Sequence, residues 1–150
     1  MKTRRWMIGA FALVLAAAPA FAQQPAGVGR IKVASGSAFI VRAGEAIPAQ
    51  AGQVVFEADG LRTGGDGRLG ITLKDDTRVA LGPGSEVRLA RFVYAPAESR
   101  IGFVLSVARG VVAYVSGRIA KLSPDSVRLE TPGAVVGVRG TTLAVRVLPE

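Results

Sequence analysis

The sequence contains no cysteine and no histidine among its 150 residues. Without these side chains the chain cannot form a disulfide, a zinc site built on thiolate or imidazole, a cysteine nucleophile or a Ser-His-Asp triad. A lipid anchor is not expected either, because a bacterial lipoprotein needs a cysteine directly after its leader, where Gln23 stands. We therefore expect no cofactor and no metal site, and a fold held by its apolar core alone.

Residues 1–22 have the organisation of a secretory signal peptide. Three cations precede a mostly apolar run over residues 6–18, and residues 20–22 (Ala-Phe-Ala) supply the cleavage site. The run is shorter than the roughly 20 apolar residues that span a bilayer, which favours cleavage after Ala22 over a membrane anchor. We therefore expect export by the general secretory route, a periplasmic mature chain and no stable membrane insertion after cleavage.

The formal charge of +8 falls when the leader is set aside. The mature chain then carries 16 Lys and Arg against 11 Asp and Glu, a net charge of +5. Its six aromatic residues are not interleaved with the basic ones, as a base-stacking surface requires. An exported chain also seldom meets nucleic acid, so nucleic acid is not expected as a partner.

The mature chain is rich in β-branched residues and glycine, with 19 Val and 6 Ile against 10 Leu, and 18 Gly. This composition favours strands and turns over helices. Residues 23–29 read as a flexible lead-in, and residues 117–126 as a loop. Between turns, short apolar stretches alternate with polar residues. Strands are predicted near residues 31–33, 39–41, 54–56, 61–63, 69–73, 79–81, 87–89, 103–107, 111–115, 127–129, 135–138 and 143–147.

This pattern predicts one all-β domain over residues 30–148. Strand-and-turn units of about ten residues suit two architectures. One is a compact β-roll, or solenoid, that coils strand on strand, and the other is a β-sandwich of short antiparallel strands. The sequence leaves both open.

Four arginines occupy polar positions of alternating strands: Arg78, Arg88, Arg128 and Arg146. Because side chains alternate between the two faces of a strand, these four are expected to point away from the core. The simpler interpretation is a solvated face that also discourages edge-to-edge pairing. The alternative is a basic interaction face for an acidic partner or an anionic envelope polymer, and the four arginines are its candidate residues.

A catalytic site is not predicted. The closest carboxylates in sequence are Asp75 and Asp76, and neighbouring residues on a strand project in opposite directions. In a turn, aspartate instead hydrogen-bonds the adjacent backbone, which is the interpretation we prefer. Gly82-Pro83-Gly84-Ser85 lacks the Gly-Lys-Ser/Thr continuation of a phosphate loop. We therefore expect a protein that is not an enzyme.

Several segments resemble the FecR domain. They are residues 61–64 (Leu-Arg-Thr-Gly), 69–77 with the Asp-Asp-Thr ending, 79–85, 131–135 (Thr-Pro-Gly-Ala-Val) and 138–141 (Val-Arg-Gly-Thr). The resemblance implies an all-β periplasmic domain that works through protein contacts. Family members typically join such a domain to a membrane helix and a cytoplasmic anti-sigma segment. A cleavable leader stands in that place here, so direct control of a sigma factor is not expected.

Six residues of these segments are expected to shape turns: Thr63, Gly64, Gly67, Arg139, Gly140 and Thr141. The glycines permit turns that a Cβ would strain, and the threonines can hydrogen-bond nearby backbone. Arg139 is expected to hold a turn through carbonyl contacts, with an exposed interaction residue as the alternative.

Together these observations predict a non-enzymatic exported domain that serves as a protein–protein interaction module in envelope sensing or signalling. The alternative is binding of an anionic envelope polysaccharide or lipopolysaccharide through the arginines on the strands.

Overall fold

A computed structural model of the chain describes residues 25–140 and 142–148. The predicted signal peptide and the first two residues of the lead-in lie outside the described residues. β1 begins at Gly29, the last residue of the predicted lead-in. Val28 is buried and its N–H donates to the carbonyl of Val55 at 2.7 Å, which anchors the chain before the first strand.

Strands dominate the described part of the chain, and the predicted all-β class is confirmed. A short helix, α1 (Arg118–Leu122), and two single 3-10 turns lie within residues 96–126. The strands are β1 (Gly29–Ser35), β2 (Ala38–Arg42), β3 (Glu45–Pro48), β4 (Val54–Val55), β5 (Gly60–Thr63), β6 (Arg68–Leu73), β7 (Arg78–Leu81), β8 (Glu86–Ala95), β9 (Arg100–Val115), β10 (Val127–Thr131), β11 (Ala134–Gly137) and β12 (Thr142–Val147).

The 16-residue strand β9 connects the two halves of the sheet. Its first half lies between β8 and β10, and its second half lies between β7 and β12. The sequence predicted two separate strands divided at Gly110. The structure shows one strand that bends there, because Gly110 takes a φ of 94° and the next amide, of Val111, bonds the Ser85 hydroxyl.

The bend divides the strands into two wings, which we name by their members. Wing A contains β4, β1, β6, β7, the second half of β9 and β12, in that order. Wing B contains β3, β2, β5, β8, the first half of β9, β10 and β11. All pairings between described strands are antiparallel except that of β9 with β10.

The two wings curl over one shared core. Phe103 and Tyr114 lie eleven residues apart on β9, which an extended strand would place about 36 Å apart. Their rings nevertheless stack with centroids separated by 6.0 Å, because one ring projects inward from each wing. A single cluster of buried side chains fills the space between the wings. The strands form one curled, mostly antiparallel sheet, which is closer to the predicted compact roll than to a sandwich of two separate sheets.

The segment predicted as a loop at residues 117–126 contains α1, which the turn between β6 and β7 holds in place. The buried Asp75 carboxylate accepts hydrogen bonds from the Thr77 hydroxyl at 2.6 Å and from the Ile119 amide at 3.1 Å. Asp76 adopts a φ of 69°, as a turn residue does. Both aspartates therefore act in the turn, and Asp75 also fixes the helix against wing A.

Candidate functional site

The turns that join the wings form a line that we call the crease. It contains residues 36–37, 64–67, 82–85 and the bend of β9. Thr63 links two parts of it, because its hydroxyl donates to the carbonyl of Gly82 at 2.7 Å and accepts from the amide of Ser85 at 2.9 Å. The FecR-like residues in this region therefore hold the two wings together.

Gly64 and Gly67 lie where two turns of the crease touch. The Gly64 amide donates to the Ser37 carbonyl at 2.8 Å. A Cβ at Gly64 would stand 2.9 Å from the Cβ of Ser37, and a Cβ at Gly67 would collide with the Ser37 carbonyl. The Ser37 amide also donates to the Asp66 carboxylate, and hydrogen bonding from Ser37 lowers the pKa of Asp66. Glycine is therefore favoured at both positions because a side chain there would collide with Ser37.

The second group of turn residues behaves differently. Arg139 is exposed, and its guanidinium pairs with the Asp125 carboxylate at 2.9 Å. The sequence favoured contacts between this guanidinium and the carbonyls of a turn, but the two charged side chains instead meet outside the core. A Cβ at Gly140 would meet nothing within 4 Å, so space does not require glycine there. The Gly140 carbonyl accepts from the Ser116 hydroxyl. Thr141 lies outside the described residues.

The four candidate arginines are all exposed, but the structure does not bring them together. Arg78 and Arg146 lie on the outer side of wing A, whereas Arg88 and Arg128 lie on the outer side of wing B. Because the wings face each other across the core, their outer sides point in opposite directions. The four arginines, which the sequence offered as one basic interaction face only in the alternative interpretation, are therefore divided between two surfaces.

The outer side of wing A carries a larger set of cations than the sequence indicated, and we call it the cationic face. Register places Arg78 beside Thr72 of β6, and Thr72 beside Arg30 of β1. The strands of wing A contain no Asp or Glu. The face is defined by six exposed residues: Arg30, Lys32, Arg68, Lys74, Arg78 and Arg146.

Wing B has a mixed outer side. Its strands carry Glu45, Glu86 and Glu130 among the arginines. Glu86 pairs with Arg109 at 3.4 Å, and register places Glu130 beside Ser106, opposite Arg88. The charge of this surface is therefore partly neutralised, unlike that of the cationic face.

A groove of about 550 Å³ also lies on wing B. Its lining includes Gly60, Arg88 and Ser106. Arg88 therefore borders a recess on this wing, and Arg128 borders another of about 330 Å³ beside β10 and β11.

A second feature is the groove between β11 and β12, which we call the seam. Within the described residues, β11 pairs only with β10 and β12 pairs only with β9, so each has one free edge. The groove between them has a volume of about 710 Å³, and its lining includes Val136, Val145, Val147 and Leu148. The first three pack against the core, which is incompletely covered here.

The edges of the sheet differ in how they are protected. β3 carries Glu45 and Pro48, and β4 is only two residues long; charge, proline and shortness each discourage added strands. β11 has the sequence Ala-Val-Val-Gly and no charge, and its Val135 is 66% exposed. β11 is therefore less protected against an added strand than β3 and β4 are.

Tyr114 provides a test of the core beneath the cationic face. Its hydroxyl is buried, and it forms no hydrogen bond with any of the described residues. Burial raises the pKa of Tyr114, and the neighbouring Ser116 and Thr77 hydroxyls offset part of that rise. The Tyr114 hydroxyl is therefore harder to ionise in the folded state than in the unfolded state. The stability that this difference provides is fully present below the unfolded pKa of about 10, and it is lost as the pH rises through the higher pKa of the folded state.

We therefore expect the Tyr114→Phe variant to unfold with the wild-type free energy or a higher one at about pH 8, and to lose less stability by about pH 11. Urea titrations at both pH values measure this difference. Tyr94→Phe, at a half-buried position, is the control and should keep the alkaline loss. An equal alkaline loss in wild type and Tyr114→Phe would count against a buried, unpaired hydroxyl.

Fold and surface together describe an all-β domain with a cationic face on wing A and an incompletely covered groove at the seam. Among the described residues, no helix is long and apolar enough to cross a membrane, and no group of three or more acidic residues could hold a metal ion. The family model described as FecR protein matches residues 59–149, more than half of the chain. The chain belongs to the FecR family, which points to a role related to signalling or sensing. No curated protein and no solved structure matches it.

Proposed function

We propose that this FecR-family chain is a non-enzymatic, periplasmic interaction module that binds an extended segment of another envelope protein during sensing or signalling. The observation that carries the proposal is the seam, where two free strand edges flank an incompletely covered part of the core. The predicted signal peptide supports the location, and family membership supports the signalling context.

The chemistry of the seam favours a strand-like occupant. Alternate amides and carbonyls of an edge strand point away from its only neighbour, so an added strand satisfies them with main-chain hydrogen bonds. The half-buried Val136 and Val145 offer apolar contacts on either side of the groove. An extended segment with apolar residues at alternate positions would pair with β11 and cover the exposed part of the core.

Charge on the edge should block this pairing. We expect Val135→Lys to reduce capture of the partner at least about tenfold, because a lysine on an edge strand disfavours strand addition. Leu122→Lys is the matched control, since Leu122 is similarly exposed at 58% but lies on α1 rather than on a strand. Pull-downs from envelope extract with wild type and the two variants measure the effect.

Three outcomes would count against the proposal. They are recovery of no protein above background, equal loss of the recovered protein by both variants, and a homodimer that Val135→Lys dissociates. Light scattering coupled to size exclusion detects the last of these, which would mean that β11 pairs with a second copy of the chain.

A further inference from the structure

The cationic face lies on a different wing surface from the free edge of β11 and has its own geometry. Register aligns one residue from each of five strands in a row of small or apolar side chains: Val33, Gly70, Ala80, Ala113 and Ala144. Five adjacent strands extend over about 19 Å at the usual strand spacing. This row is the floor of the face, and it runs across the strands.

Cations stand on both sides of this floor. Arg30 and Arg78 belong to the row on one side, while Arg68 and Arg146 belong to the row on the other side. The two flanking rows are four residues apart along a strand, or about 13 Å. Lys32 and Lys74 extend the positive charge at the β1 end, where they line a recess of about 400 Å³ together with Arg30.

These charges are not neutralised by the protein. None of the six cations forms an ion pair with a carboxylate of the described residues. Arg30 has one polar contact, a hydrogen bond from its Nη1 to the Gly52 carbonyl at 3.0 Å, and that contact leaves its charge uncompensated. A face with six like charges and no carboxylate in its strands attracts anions and repels cations.

We propose that the cationic face binds a linear polysaccharide with repeated carboxylate groups, lying along the floor between the two rows of cations. Arginine pairs with carboxylate through two parallel N–H···O bonds, which suits it to this ligand. The narrow floor of small residues lets a chain approach the sheet, and its length accommodates several consecutive sugar units.

Other anionic partners fit this face less well. A lipid surface is held by apolar or aromatic side chains that enter the acyl boundary, and the floor offers only glycine, alanine and one valine. Single-stranded nucleic acid needs aromatic side chains for base stacking, and the outward positions aligned here include none.

Two double variants with equal loss of charge test the proposal. Arg68→Ser/Arg78→Ser removes one cation from each side of the floor, away from the seam. Arg88→Ser/Arg128→Ser, on wing B, is the matched control. All four side chains are exposed, so both variants should keep the wild-type thermal unfolding temperature.

The probe is fluorescently labelled polygalacturonate at low ionic strength, where screening is weakest. We expect the wing A variant to raise the Kd about tenfold and the wing B control to raise it less than about twofold. Dextran, which is uncharged, should not bind.

The proposal is overturned by any of three results: no binding of polygalacturonate to wild type, equal weakening by the two double variants, or wing A-dependent binding only to phosphatidylglycerol–phosphatidylcholine vesicles. The second result would mean general attraction to net charge, and the third would mean a lipid surface. None of these results bears on capture of a protein at the seam.

Discussion

A chain that begins at residue 59, where the match to the FecR family begins, is expected to be unfolded. The strands before that residue are part of both wings, because β1 pairs with β6 and β2 pairs with β5. The described residues before position 59 also contribute Val28, Ile31, Ala38, Ile40 and Val55 to the buried core. The family match therefore covers less than the folding unit.

The size of the loss supports this expectation. Burial of a valine or isoleucine side chain stabilises a fold by about 1.5–3 kcal/mol, whereas a whole domain of this size is stable by only about 5–15 kcal/mol. Removal of residues 25–58 deletes several such side chains and also removes the strands that pair beside Leu61, Leu69 and Ile71. The remaining strands cannot offset that loss.

Circular dichroism and urea unfolding of residues 59–150 against residues 25–150 measure this prediction. The longer chain should unfold cooperatively, and the shorter one should show no cooperative transition. A cooperative transition of similar midpoint in the shorter chain would mean that β1 to β4 are dispensable.

The second large effect is expected at Asp59, whose carboxylate is almost completely buried at 2% exposure. It accepts hydrogen bonds from Arg42 Nε at 2.9 Å, from Arg42 Nη2 at 2.7 Å and from the Phe56 amide at 2.8 Å. The hydrogen bond to Asp59 raises the pKa of Arg42, and the Arg42 guanidinium lies 4.5 Å from the centre of the Phe56 ring. This network ties β2 to the segment before β5.

We expect Asp59→Ala to lower the free energy of unfolding by about 3 kcal/mol, because it leaves the Arg42 charge and the Phe56 amide without their partner. The value is at the lower end for a broken buried pair, since the Arg42 side chain is 38% exposed. Urea unfolding at neutral pH measures it.

Asp125→Ala is the control for Asp59→Ala. Its pair with Arg139 also has a 2.9 Å separation but is largely exposed, so a loss below about 1 kcal/mol is expected. Similar losses for the two variants would contradict a structural role specific to Asp59.

Local features of the fold could be predicted from the sequence. The alternation of Leu69, Ile71 and Leu73 with polar or small residues predicted which side of β6 is buried, and the structure agrees. The same two-residue alternation predicted that Arg78 and Arg88 are exposed, and they are. β3 was not predicted, because Glu45–Pro48 has one large apolar residue and its pairing with β2 holds it in the sheet.

Non-local features could not be predicted. The curl of the sheet, which separates Arg78 from Arg88 by placing them on opposite wings, depends on the bend at Gly110 and on the contacts of the crease. Arg68 and Lys74 flank a predicted strand, so alternation alone could have suggested them. Their alignment with Arg30 depends on the register between strands that are distant in sequence. The seam likewise follows from topology, because Val135 reads as an ordinary strand residue until β11 is known to be an edge.

Hydrogen–deuterium exchange of the full mature chain, alone and with the captured partner, shows directly whether an added strand pairs with β11. We expect the amides of β11 that point away from β10 to exchange freely in the isolated chain and to become protected in the complex, since they would pair with the added strand. Protection confined to β3 or to the cationic face, with β11 unchanged, would contradict this expectation.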